Sequence, residues 1–67
     1  MTIGQSIQKA RKDRHLTQVE LAKKAMVSPQ TISFWERDKM APTIDLLIFV
    51  ADVLNISLDE LVGRKRI

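Results

Sequence analysis

Serine and threonine stand in this chain where helix starts need them, and that punctuation limits the folds available to it. Thr2, Thr17 and Ser57 are each followed three residues later by Gln5, Glu20 and Glu60. This is the spacing of a capping box, in which side chain and backbone satisfy each other's orphan donors. Ser28 is followed by Pro29, a cap with proline at the first helical position, where its missing N–H costs nothing. Thr43 follows Pro42 and precedes the apolar run Ile44–Leu54. Together these signals predict helices over 3–13, 18–25, 29–37, 44–54 and 58–62. No segment alternates with period two, so strands are not expected.

The apolar positions agree with this division. Ile3, Ile7 and Ala10 share one face of the first predicted helix; Leu21, Ala22 and Ala25 share one face of the second. Ile32 and Trp35 give the third helix an inward stripe, and Ile44, Leu47, Ala51 and Leu54 give one to the fourth. Leu16, Val27, Ile56, Leu58 and Leu61 sit beside turns and can close the core. None of these helices is stable alone at such length, so they must pack together. The expectation is an all-α, compact five-helix bundle in one domain over 1–67, with its core in 3–62 and a basic tail at 63–67.

Only three residues, Met26-Val27-Ser28, separate the second helix from the third. Two short helices joined by so short a turn form a helix-turn-helix. The outward face of the second member carries Pro29, Gln30, Ser33, Phe34 and Arg37, and side chains near its N-terminus are placed to reach base edges in a major groove. Charge fits a polyanionic partner. Residues 1–42 hold eight basic groups against four acids; residues 43–63 hold four acids and no base; Arg64-Lys65-Arg66 adds three positive charges. A chain so polarised offers one positive side, although a scattered, solvated surface is the plainer account of charge alone.

The run Leu16-Thr17-Gln18-Val19-Glu20-Leu21-Ala22, continued through Val27-Ser28-Pro29-Gln30-Thr31-Ile32-Ser33-Phe34-Trp35-Glu36-Arg37, resembles the Cro/CI repressor-type (XRE-like) helix-turn-helix family. The likeness extends through Pro42 to Leu54-Asn55-Ile56-Ser57-Leu58-Asp59-Glu60-Leu61 and covers about residues 3–62. It implies a lambda-repressor-like domain of a bacterial or phage transcriptional regulator. Its partner would be double-stranded DNA, with base-reading positions at Pro29, Gln30, Ser33 and Phe34. Phosphate contacts would fall to Thr17, Gln18, Ser28, Thr31, Arg37 and Lys39. Gln30 is the best direct reader, since a glutamine amide matches the N6/N7 edge of adenine. The resemblance also implies a structural ion pair between Arg11 and Glu36.

Some positions depart from the family pattern. Met26 and Asp38 stand where glycine is common; a left-handed methionine would be strained by roughly 1–2 kcal/mol, or the turn is built differently. Pro29 and Phe34 offer a base no hydrogen bond. Phe34 either presses on a thymine methyl, or meets a protein partner, or is partly buried beside Trp35 or Met40. The fourth helix is more apolar than its stripe requires, with Leu46, Phe49, Val50 and Val53 partly on a second face. We expect a homodimer through Leu46, Phe49, Val53, Val62 and Ile67, or else a thicker core.

Other classes fit poorly. His15 is the only histidine, there is no cysteine, and no Gly-rich phosphate loop or metal-ligand spacing is present, so neither catalysis nor a cofactor is expected. No run approaches the roughly 18 apolar residues of a membrane span, and a cytoplasmic location without a small-molecule ligand is the expectation. The rival reading is a protein-binding module on the same scaffold: an antirepressor, corepressor or antitoxin.

Overall fold

A computed structural model describes residues 1–62, and the expectations placed on Ile67 and the basic tail lie outside the described residues. Five helices follow one another: α1 (Ile3–Asp13), α2 (Gln18–Ala25), α3 (Pro29–Glu36), α4 (Ile44–Leu54) and α5 (Leu58–Val62). They match the expected boundaries except that α3 ends one residue early, with Arg37 as its C-cap. None is long and apolar enough to cross a membrane.

Each start is held by the hydroxyl that the sequence singled out. Thr2 Oγ1 accepts from the Gln5 N–H at 3.1 Å while Gln5 Oε1 accepts from the Thr2 N–H at 2.9 Å. Thr17 and Glu20 repeat the exchange at 3.1 and 2.8 Å. Ser28, Thr43 and Ser57 accept from the amides of Thr31, Leu46 and Glu60. Such a cap contributes about 1 kcal/mol.

The helix ends share a second device. After each of α1 to α4 one residue turns left-handed: His15 (φ 56°), Met26 (φ 61°), Asp38 (φ 57°) and Asn55 (φ 56°). The next amide then closes back on a carbonyl five residues earlier, Leu16 on Arg11, Val27 on Ala22, Lys39 on Phe34 and Ile56 on Ala51, at 2.9–3.1 Å. These are Schellman-type closures. Leu16, Val27 and Ile56, the residues that follow three of the reversals, pack against the core and so set the exit of each helix.

The core consists of Ile7, Ala10, Leu21, Ala22, Ala25, Ile32, Trp35, Leu47, Val50, Ala51, Leu54 and Leu61. Trp35 lies near its centre, 1% exposed. One expectation for α4 is corrected. Ile44, expected inward, is 60% exposed, whereas Val50, expected partly on a second face, is fully buried. The inward stripe is Leu47-Val50-Ala51-Leu54, the i, i+3, i+4, i+7 pattern of one helix face. Ile44 belongs to the first turn, one step before that stripe begins.

At Gly4 the N-terminus of α1 presses on the end of α3. A Cβ there would fall inside contact distance of the Trp35 carbonyl oxygen and 2.6 Å from Asp38 Oδ1. Backbone cannot step aside as a flexible side chain can. Gly4→Ala is therefore expected to lower stability by at least about 1–3 kcal/mol, read as a lower midpoint in urea unfolding; an unchanged midpoint would show that α1 and α3 are not in this register.

Candidate nucleic-acid interface

The outward face of α3 is set by what its inward face buries. Ile32, Trp35 and Glu36 are buried, which leaves Pro29 and Gln30 exposed at the N-terminus and Thr31, Ser33 and Phe34 half-buried along the flank. Pro29 fixes the first turn, and Ser28 caps it. The Ser28 and Thr31 hydroxyls also bond each other at 2.8 Å, so two expected phosphate contacts are held as one pair. Arg37 and Lys39 are exposed beyond the end of the helix.

The turn before α3 is left-handed at Met26, the more costly of the two alternatives for that residue. Its side chain is 83% exposed and adds little packing in return. The strain purchases only a backbone shape, the reversal that sets α3 across α2. Asp38 is also left-handed, at lower cost, since a short polar side chain tolerates that region.

Asp38 has a second role that sequence reading missed. Its Oδ1 accepts from the Gly4 N–H at 3.1 Å and its Oδ2 from the Thr2 hydroxyl at 2.7 Å. A carboxylate at the N-terminus of α1 complements the helix dipole and satisfies an orphan donor. The contact spans 34 residues, and the only local signal was an acid where the family has glycine.

Glu36 joins three elements. Arg11 Nε donates to Glu36 Oε2 at 2.6 Å and Arg11 Nη2 donates to Oε1 at 2.9 Å, a bidentate pair. Arg11 Nη1 donates to the Leu16 carbonyl at 2.8 Å. Gln18 Nε2 donates to the same Glu36 Oε1 at 3.1 Å. Thus α1, the first residue of α2 and the end of α3 meet at one carboxylate, and the turn after α1 is tied to it through Arg11. The hydrogen bond to Glu36 raises the Arg11 pKa above its already high ordinary value; burial opposes this, and the charge of Glu36 adds to it. At the start of α2, the Thr17 N–H donated to Glu20 holds that carboxyl below its usual range. The support it gives the cap is complete above the ordinary glutamate pKa and is lost as pH falls through the depressed value.

The expected dimer residues are divided. Phe49 is 39% exposed, while Leu46, Val53 and Val62 are half-buried against the core. Ile44 and Ile48, at 60% and 45% exposed, were not among the residues expected to dimerise, and they extend the apolar surface around Phe49. His15 is exposed in its turn.

Comparison with known proteins places this geometry. The helix-turn-helix family profile matches residues 7–61. The immunity repressor protein of Bacillus phage phi105 is 43% identical over 65 residues, 97% of this chain and 45% of that protein. The chain spans about half the length of curated relatives such as this one and the regulator ImmR of Bacillus subtilis. The crystal structure of the P22 c2 repressor protein in complex with a synthetic operator superposes with a TM-score of 0.89 at 31% identity, over 97% of this chain and 98% of that one. That of SinR, the master regulator for biofilm formation, in complex with DNA, gives 0.84 at 38% identity over 90% and 97%.

The Arg11–Glu36 pair yields a stability test. Its side chains are 9% and 2% exposed, so removal of one partner strands a buried charge. Arg11→Met is expected to cost about 3–5 kcal/mol in urea unfolding, and Arg11→Met combined with Glu36→Leu to cost less than Arg11→Met alone. A double loss equal to the sum of the Arg11→Met and Glu36→Leu losses would mean that the two side chains act independently.

Proposed function

The chain belongs to the helix-turn-helix family matched over residues 7–61, and on that premise we propose that it binds double-stranded DNA sequence-specifically as a transcriptional regulator, most plainly a repressor. The family and the relatives named above are regulators, not enzymes. The observation that carries the reading is the outward face of α3. Pro29 and Gln30 stand exposed at its N-terminus, and behind them the helix is fixed by a buried ion pair.

In this reading α3 enters the major groove by its N-terminal half. Gln30 reads a base edge, adenine N6/N7 being its best match, and Ser33 is the second polar group within the face. Pro29 and Phe34 give the face an apolar component. Thr17, Gln18, Ser28, Thr31, Arg37 and Lys39 hold phosphates and fix register. Gln18 suits that work because its amide is already oriented by Glu36, with a second N–H still to donate.

So few polar readers give one domain limited discrimination, and a second copy would supply the rest. The exposed apolar residues Ile44, Ile48 and Phe49 support a homodimer through α4, with Leu46, Val53 and Val62 at its margin. A two-fold dimer places its recognition helices ~34 Å apart and calls for a near-palindromic operator.

Selection of bound duplexes from a random pool, followed by binding over a salt series, tests the function. Gln30→Ala is expected to relax preference at one position of each half-site, at a cost of about 1–3 kcal/mol there, while Gln18→Ala weakens all duplexes alike and lowers the salt slope by about one. Retention of no duplex would contradict the reading, and tight capture of a protein instead would favour a protein-binding module. Sedimentation is expected to show a dimer at high micromolar concentration; a monomer there would remove the α4 interface.

A further inference from the structure

Phe34 stands at a base-reading position yet has no hydrogen bond to give, and the structure shows what its ring is in contact with. The Arg37 guanidinium carbon lies 5.4 Å from the centroid of the Phe34 ring. The two residues are three apart on one helical face, where side chains meet, and the distance is within cation–π reach. Arg37 Nε donates to the Ser33 carbonyl at 3.4 Å, which turns the side chain back along α3 toward the reading face. One face of the ring thus carries a cation.

We propose that Phe34 is a positioning residue, a platform that holds the Arg37 guanidinium along the outer face of α3 for bidentate docking on a backbone phosphate of the bound duplex. The inference rests on the DNA-binding reading above and assigns the roles within it. A guanidinium that lies on a ring keeps its edge available, and both Nη groups of Arg37 remain to donate. Their planar fork matches two phosphate oxygens. An unsupported arginine on an exposed helix end would samples many rotamers before docking; the ring and the Ser33 carbonyl restrict it in advance, which is where the affinity gain arises. Phe34 on this account carries no sequence information of its own, and its apparent misfit among base readers disappears. Sequence reading is left to Gln30 and Ser33.

The test is the binding of wild type, Phe34→Leu, Phe34→Tyr, Arg37→Gln and the Phe34→Leu/Arg37→Gln double variant to duplexes selected by the wild type and to an unrelated duplex, over a salt series. Leucine keeps an apolar contact for a thymine methyl and removes the platform; tyrosine keeps the platform. Arg37→Gln is expected to weaken every duplex about tenfold and to lower the salt slope by about one. Phe34→Leu should weaken every duplex by about two- to fivefold, the size of an exposed cation–π contact, and Phe34→Tyr should bind as wild type. The double variant should be no weaker than Arg37→Gln alone, and thermal melting of each variant near wild type confirms that folding is not the cause. Multiplicative losses in the double variant overturn the proposal. A Phe34→Leu loss confined to duplexes with thymine at one position overturns it too, as does an Arg37→Gln loss confined to one G·C pair. All of these leave the DNA-binding reading intact, whereas a wild type that retains no duplex removes both.

Discussion

The carboxylate of Glu36 accepts two bonds from Arg11 and one from Gln18, and the placement of α3 depends on that convergence. Burial of two charges is expensive, and their mutual attraction offsets the cost only when geometry is good and the remaining lone pairs are satisfied. Here the pair is bidentate, a third Arg11 N–H reaches the Leu16 carbonyl, and the Gln18 amide takes up further acceptor capacity. What the arrangement gives in return is orientation. Glu36 adjoins Trp35, the largest fully buried side chain, so the tie acts where α3 meets the core. At the same end of the helix, Asp38 binds the first turn of α1. The outward face of α3 is thus held by contacts that lie on its opposite side.

Left-handed residues supply the complementary constraint. A bundle of short helices needs abrupt reversals, and four of them use one backbone device at His15, Met26, Asp38 and Asn55. None is glycine, so each carries some strain, least for Asn and Asp and most for Met26. The compensation is local: a closing hydrogen bond at every site and, at three of them, an apolar residue delivered to the core. Reversals of this kind bring the start of α2 and the start of α3 into one compact frame, from which a short face of polar groups is displayed.

Sequence reading recovered the helix starts because cap chemistry is local: a hydroxyl and the amide three residues on decide the matter. It placed Leu47, Ala51 and Leu54 of α4 correctly and misplaced Ile44 and Val50, for an equally physical reason. Between Ile44 and Leu54 only Asp45 and Asp52 are polar, so the pattern has no broad polar face to fix which apolar residues point inward. The buried stripe includes Val50 and stops short of Ile44 in the first turn. The Asp38–Gly4 contact was illegible because it joins residues 34 apart, and the Arg11–Glu36 pair was legible only through family resemblance. Phe34 remained open between three roles in the sequence, since the arginine that covers it is recognised as its neighbour only once the helix is built.

A scaffold fixed by buried contacts, and an outward face of α3 fixed by that scaffold, carry the proposal that duplex DNA meets the protein along the starts of α2 and α3. Amide chemical-shift mapping by nuclear magnetic resonance, with a selected duplex added stepwise, tests it most directly. The largest changes are expected at Thr17, Gln18 and Gln30 through Phe34, with Lys39 beside them. Changes centred on α4 from Ile44 to Val53, with the α3 amides unmoved, would contradict it.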